Sequence, residues 1–528
     1  MIFDKAAYDQ AVQKKRSGVI SCAPDWRTFS LSNDEIMQMV PLPGTGSHKW
    51  KITVKHDSAQ FYFDQGMNLY YGFHIAEALP SFKKAQLFDS ASPMLFWAEA
   101  LAYGPNINDM GYAASPAALT AVAKASALLP YANQKEALLI KAMAVRYSAD
   151  TTLQRLTLNE RYAGKMKSLY KLFPKDAEVA ALYADALMVQ HPWDLWEHSG
   201  KPKPWTTEIE KVLEHILTVA PQHPGANHYY IHVMEASPYA YKAAASADRL
   251  SSLTPGLAHM VHMPSHIYIR TGKYEKGAAL NTEALKQYKT YLALYPGAAA
   301  GAFLYDNHNR HMQAACSVYG TDYNTALKDA AACRAAIDTS FLSMATPLGN
   351  YIQYAYMVPE LAMVTFKKWQ DILAQPAIPE QYHYAAFLQH FAKGMAMANT
   401  NDLLGARGAL NKIRTLIKEP DMLVVLEPFN SAAAGGRIAE NILAGMIAQA
   451  ENKTPIALQY FKEAVVAEDA LVYNEPRDWL NPARHYLGNA LLQNGQFDQA
   501  TKVFREDLAV QPLNATAVKG LKKAMGKK

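Results

Sequence analysis

A chain of 528 residues is too long for one hydrophobic core, so several domains or a continuous repeat array are expected. Half of it is apolar and 19% is charged, the balance of a folded chain, and the net charge is only +5. Short basic clusters, such as Lys14-Lys15-Arg16 and Lys522-Lys523, are not interleaved with aromatics on a helix face, which argues against nucleic-acid binding. No run of about 20 apolar residues occurs, so no membrane span is expected.

Residues 1–50 read as an irregular N-terminal arm, because Pro24, Pro41, Pro43, Gly44 and Gly46 break helix there. Met1 to Gln10 lacks the apolar core of a signal peptide, which points to the cytoplasm. Val19-Ile20-Ser21-Cys22 has the order of a lipoprotein cleavage box behind too short an apolar run. Cell envelope or periplasm is therefore the alternative for a truncated or processed N-terminus. Cys22, Cys316 and Cys333 form no C-x-x-C pair, against a disulfide framework, a zinc knuckle or attached haem. The last two sit in alanine-rich stretches and read as small buried residues.

A repeat follows the arm. In the unit starting at Ala59, Gly66, Ala78, Phe82 and Ala85 occupy offsets 8, 20, 24 and 27. The unit starting at Ile438 places Gly445, Ala457, Phe461 and Ala464 at the same offsets. The unit starting at Asn481 gives Gly488, Ala500 and Phe504. Small residues at 8 and 20 let two antiparallel helices cross closely, and a large one at 24 packs between repeats. This 34-residue register resembles the tetratricopeptide repeat. Pro221 and Pro255 fit the same period, Gly272, Tyr274 and Ala284 set a unit from Ala258, and Tyr323 and Ala326 set one from Asn307. The expected fold is all-α, a tetratricopeptide-repeat superhelical solenoid of roughly ten helix pairs. Its stretches are 51–175, 176–335 with insertions and a histidine-rich groove, and 336–528.

Two units exceed the period. The first surplus carries His191-Pro192-Trp193-Asp194-Leu195-Trp196-Glu197-His198 and the second the Gly/Ala-rich stretch 297–301, both candidates for lids. Between positions 228 and 311 fall seven of the chain's 17 histidines: His228, His232, His259, His262, His266, His308 and His311. An even spread would put two or three in that window. Gaps of three and four hold each stripe on one helix face. In tetratricopeptide repeats the first helix lines the concave groove through offsets 2, 5, 9 and 12. All seven histidines and Glu235 fall on those offsets, in registers fixed by other residues.

Imidazoles converging from neighbouring helices suit a transition metal, with copper favoured and iron or zinc as alternatives. His228, His232 and Glu235 also match the two-histidine, one-carboxylate set of non-haem iron, and seven histidines exceed one site's needs. The plainer reading is a polar groove whose histidines bond a peptide or each other. Glu235 is read as a ligand or general base, and Asp185, at offset 9 of the unit from Ala177, as a carboxylate orienting an imidazole or a groove acid. Trp193, Trp196, Tyr229 and Tyr230 are expected to shape a small-molecule pocket, with Arg270, Glu475 and Arg484 as polar contributors.

The stretches Phe63-Asp64-Gln65-Gly66, Gly104-Pro105-Asn106-Ile107-Asn108, His223 to His232 and His262-Met263-Pro264-Ser265-His266-Ile267-Tyr268 resemble a widespread bacterial family of large tetratricopeptide-repeat proteins. Glu475-Pro476-x2-Trp479-x2-Pro482-x-Arg484 resembles another of its recurring stretches. The likeness spans about residues 48–515 and implies no reaction. Related chains often pair histidines near the start where this one has His48-Lys49, which puts a ligand role for His48 in doubt. Nucleophile elbow, Walker loop, dinucleotide fingerprint and H-E-x-x-H are all missing. The sequence therefore points to a metalloenzyme acting on a small molecule, an oxygen-using oxidoreductase first and a hydrolase or lyase second. The alternative is a scaffold that holds a peptide or protein in its groove without catalysis.

Overall fold

The structure, a computed structural model, describes residues 32–108, 116–294, 302–426 and 429–526. The start of the arm, Cys22 and the stretch 297–301 proposed as a lid lie outside the described residues. Among the described residues no strand occurs, only isolated bridges between Trp196 and Pro202 and between Val425 and Ser431. None of the helices among the described residues is long and apolar enough to cross a membrane. The fold is all-α, built from helix pairs of the tetratricopeptide type joined by short turns.

The close crossings explain the register. A Cβ added to Gly66 would meet the Phe82 ring at 2.3 Å, one on Gly445 the Phe461 ring at 2.5 Å, and one on Gly488 the Phe504 ring at 2.5 Å. Each glycine lies on the first helix of its pair and each phenylalanine on the second: Asp57–Tyr71 with Ile75–Phe88, Ala432–Ala450 with Thr454–Asp469, and Ala483–Gln493 with Phe497–Val510. All three phenylalanines are fully buried, so a side chain at the glycine has nowhere to push them.

The chain divides into two compact units, Met1–Ile267 with Glu283–Asp306, and Tyr268–Thr282 with Asn307–Lys528. In the first unit the described part of the arm contains one short helix, Asn33–Gln38, started by a capping box of Ser32 and Glu35. Beyond it the arm has no regular element and is held by side chains of the repeats. Leu42 N–H donates to Gln65 Oε1 at 2.8 Å and Trp50 N–H to Asp64 Oδ1 at 3.0 Å. The insertion near 191–205 is likewise pinned. Trp196 Nε1 donates to the Val233 carbonyl at 2.6 Å, and Trp193 Nε1 to that of Ile107 at 3.1 Å. In the second unit a continuous apolar core runs through helices such as His383–Asn399 and Ala432–Ala450. Cys316 and Cys333 are buried free thiols there, as small core residues should be.

Candidate metal centre

Helix Pro224–Glu235 opens with proline at its first position, where the missing N–H costs nothing, and is capped by His223, whose Nδ1 accepts the Ala226 N–H at 3.1 Å. It is buried along its whole length. His228, His232 and Glu235 recur on one face of it. Helix Ala258–His262 and, past Met263, helix Pro264–Thr271 carry His259, His262 and His266. The imidazoles of all five histidines are buried, so the groove face marked by the repeat register is here a closed interior.

His228 Nε2 lies 3.1 Å from His232 Nε2 and 3.1 Å from His259 Nε2. The opposite ring nitrogens decide what these contacts are. His228 Nδ1 is 2.6 Å from the Tyr71 carbonyl oxygen, and His232 Nδ1 is 2.9 Å from Glu235 Oε1. Both oxygens accept, so both Nδ1 atoms carry the proton and both Nε2 atoms present lone pairs. Two lone pairs therefore meet at hydrogen-bond distance. Protonating one ring would relieve the repulsion, but burial and then neighbouring imidazoles hold the pKa of His228 and His259 well below the ordinary value. A cation among the three nitrogens would relieve it instead. Bonds of about 2.0–2.1 Å in a tetrahedral shell set ligand atoms roughly 3.3 Å apart, close to the spacing found.

Glu235 joins this set to a second imidazole pair. Its Oε2 accepts from His266 Nδ1 at 2.7 Å, and His266 Nε2 lies 2.7 Å from His262 Nε2. Burial would raise the Glu235 carboxyl, but His232 and His266 hold it low, at about 2. A carboxylate whose two oxygens each hold an imidazole Nδ1–H stands behind the rings and orients them.

The wall around the nitrogens is aromatic. Phe73, at φ +56 in the tight turn between the first two repeat helices, packs its ring 4.6 Å from that of His228 and 5.8 Å from those of His232 and His259. Trp193 sets its edge on His232 at 5.6 Å, and Tyr229 packs on Phe73 at 5.9 Å. The His259 amide N–H donates to His74 Nε2 at 3.4 Å. Tyr71, Phe73 and His74 were not legible as site residues. They come from the first repeat, about 155 positions upstream, and supply a carbonyl, a ring and an acceptor that no spacing rule marks.

Other expected residues sit elsewhere. Asp185 orients no imidazole: it accepts the Tyr70 hydroxyl at 3.0 Å, and burial raises its pKa to about 6 against the pull of Arg146. Tyr230 turns its hydroxyl away to Glu214 at 2.8 Å, and Trp196 anchors the insertion rather than facing the imidazoles. Both leave the pocket lining. In the second unit Arg484 is engaged bidentately by Asp469 at 2.6 and 2.7 Å, a structural ion pair. Arg270 lies over the Tyr473 ring at 5.4 Å and, with Glu475, lines a cavity of about 20 Å³. His308 and His311 also belong to that unit and are buried, and His311 packs on Tyr354 at 5.5 Å.

No family model matches this chain, and no curated protein does. Solved structures similar to it include a human IFIT1 dimer with m7Gppp-AAAA, 12% identical over 95% of this chain and 96% of that one, at a TM-score of 0.31. Yeast Tom70 is 14% identical over 89% and 96%, at a TM-score of 0.28. The Cut9 and Hcn1 hetero-tetramer of APC/C is 13% identical over 90% and 78%, at 0.29. At these identities and scores the likenesses say nothing of what this chain binds.

Proposed function

We propose that the first unit is a metal-binding protein whose ion is held by Nε2 of His228, His232 and His259. The observation that carries the reading is the proton placement: Tyr71 and Glu235 fix Nδ1–H on two of the rings, which turns their Nε2 lone pairs onto each other. Imidazole-only ligation suits copper first, by the ordinary order of divalent affinities, with zinc or iron as alternatives. Three nitrogen ligands leave a coordination position open, the arrangement of catalytic rather than structural sites. With Phe73, Trp193 and Tyr229 excluding water around it, that position suits activation of oxygen or water against a small molecule. X-ray absorption on the copper- or zinc-loaded protein tests the ligand set. Three imidazole nitrogens at about 2.0–2.1 Å are expected, and a shell of oxygen or sulfur alone contradicts it.

A second reading, a scaffold for an extended peptide, has its own observation. A cavity of about 150 Å³ in the second unit is lined by the amides of Asn399, Gln449, Asn489 and Gln493. Side-chain amides can bond both the N–H and the carbonyl of a main chain. Saturable binding of unstructured peptides to the metal-free protein, lost in Asn489→Ala, would favour this reading.

A further inference from the structure

Besides the imidazole centre, the first unit buries two further polar clusters, and they differ in whether their donors are met. In one, His48 Nε2 and His223 Nε2 lie 2.6 and 3.5 Å from Glu178 Oε1, and Tyr71 donates its hydroxyl to Oε2, so every donor already faces a carboxylate. The other gathers around Arg146, which is only 1% exposed. Its guanidinium lies on the Tyr162 ring, with Cζ 4.6 Å from the centroid. A Cβ on Gly104 would come within 2.6 Å of that Cζ, so glycine there leaves the guanidinium its room. Nη2 donates to the Pro105 carbonyl at 3.0 Å, whereas Nε and Nη1 make no hydrogen bond.

The hydroxyls of Tyr162 and Tyr229, both buried, also lack a partner. Asp185 is the carboxylate whose charge acts on Arg146, but it accepts the Tyr70 hydroxyl at 3.0 Å and no guanidinium N–H. Burying a cation and its N–H groups is costly unless something accepts from them. The cluster also adjoins the imidazole centre at two points. Tyr229 packs its ring 5.7 Å from that of His228. The stretch 104–108, which gives the Pro105 carbonyl to Arg146, gives that of Ile107 to Trp193, whose edge rests on His232.

We propose that Arg146, with the Tyr162 and Tyr229 hydroxyls, binds the carboxylate of a small organic acid and so presents that acid to the metal centre. Donors without acceptors call for an anion, and a guanidinium favours a planar carboxylate. Presentation to the ion rests on the metal reading, whereas binding of the acid does not need the ion. Calorimetric titration of the full, metal-free chain with acetate, and with acetamide as the neutral probe at the same ionic strength, tests it. Saturable binding of acetate alone is expected. Tyr162→Phe and Tyr229→Phe should each weaken it about tenfold with unchanged melting temperature, since neither hydroxyl bonds to the protein, and Arg146→Gln should abolish it. Tyr230→Phe, at a hydroxyl that bonds Glu214 outside the cluster, should leave it intact. No saturation with acetate, equal binding of acetamide, or unchanged affinity in both phenylalanine variants overturns the proposal. Acetate that binds only the zinc-loaded chain, and not after His228→Ala with His232→Ala, sits on the ion and overturns it too. Acetate binding that depends on Arg146 in a chain taking up no zinc supports the acid site and ends the metal reading.

Discussion

Two histidine clusters in the first unit carry their protons on opposite ring nitrogens. At His228 and His232, a carbonyl and a carboxylate take Nδ1–H, and the bare Nε2 atoms converge. At His223 a backbone amide occupies Nδ1, and Nε2 carries the proton beside Glu178. The residue types are the same in both. What separates a metal-ligand set from a proton-donating pair is the group behind each ring, so counting histidines cannot tell them apart.

The largest effect that would break this contrast is expected at Glu235. Glu235→Ala leaves the Nδ1–H groups of His232 and His266 buried without acceptors, at about 1–3 kcal/mol each, so the variant should lose about 2–6 kcal/mol in urea denaturation. Glu235→Gln keeps one acceptor and should weaken metal affinity by about 10- to 100-fold, read by competition with a chelator. Unchanged affinity in the glutamine variant would remove Glu235 from the account.

Asp185 sharpens the contrast as a carboxylate without an imidazole. Burial raises its pKa from 3.8 to about 6. The folded state therefore holds the proton more tightly than the unfolded chain, and stability falls as pH rises from about 4 to about 6, by roughly 3 kcal/mol. Asp185→Asn should flatten that slope when denaturation midpoints at pH 4.5 and 7 are compared. A smaller change is expected at His223. Replacing it by alanine removes a helix cap, which costs about 1–2 kcal/mol, yet should leave metal stoichiometry unchanged.

The repeat was legible because close helix crossings write themselves locally: Gly66 with Phe82 and Gly445 with Phe461 are sixteen residues apart and always paired small with large. The histidine stripes were legible for a similar reason, since helical spacing places His228 and His232 on one face. Orientation was not. The groups that fix each tautomer, the Tyr71 carbonyl behind His228 and the Ala226 amide behind His223, are backbone atoms that any residue would provide. Glu178 and His48 meet across 130 positions as single residues without a periodic neighbour, so only the folded chain joins them. Phe73 also escaped the register, because it comes from a turn outside the repeat pattern, whereas Trp193 lies on the insertion whose surplus length marked it as a lid.

Metal content by elemental mass spectrometry, on protein loaded with copper or zinc and then desalted, addresses the central claim most directly when the two clusters are compared side by side. The intact chain and the variant His48→Ala with His223→Gln should each retain a full complement of ion. The variant His228→Ala with His232→Ala should retain none at the first-unit centre, with its helical circular dichroism preserved. Full retention in that second variant, or loss of the ion in the first, would contradict the account.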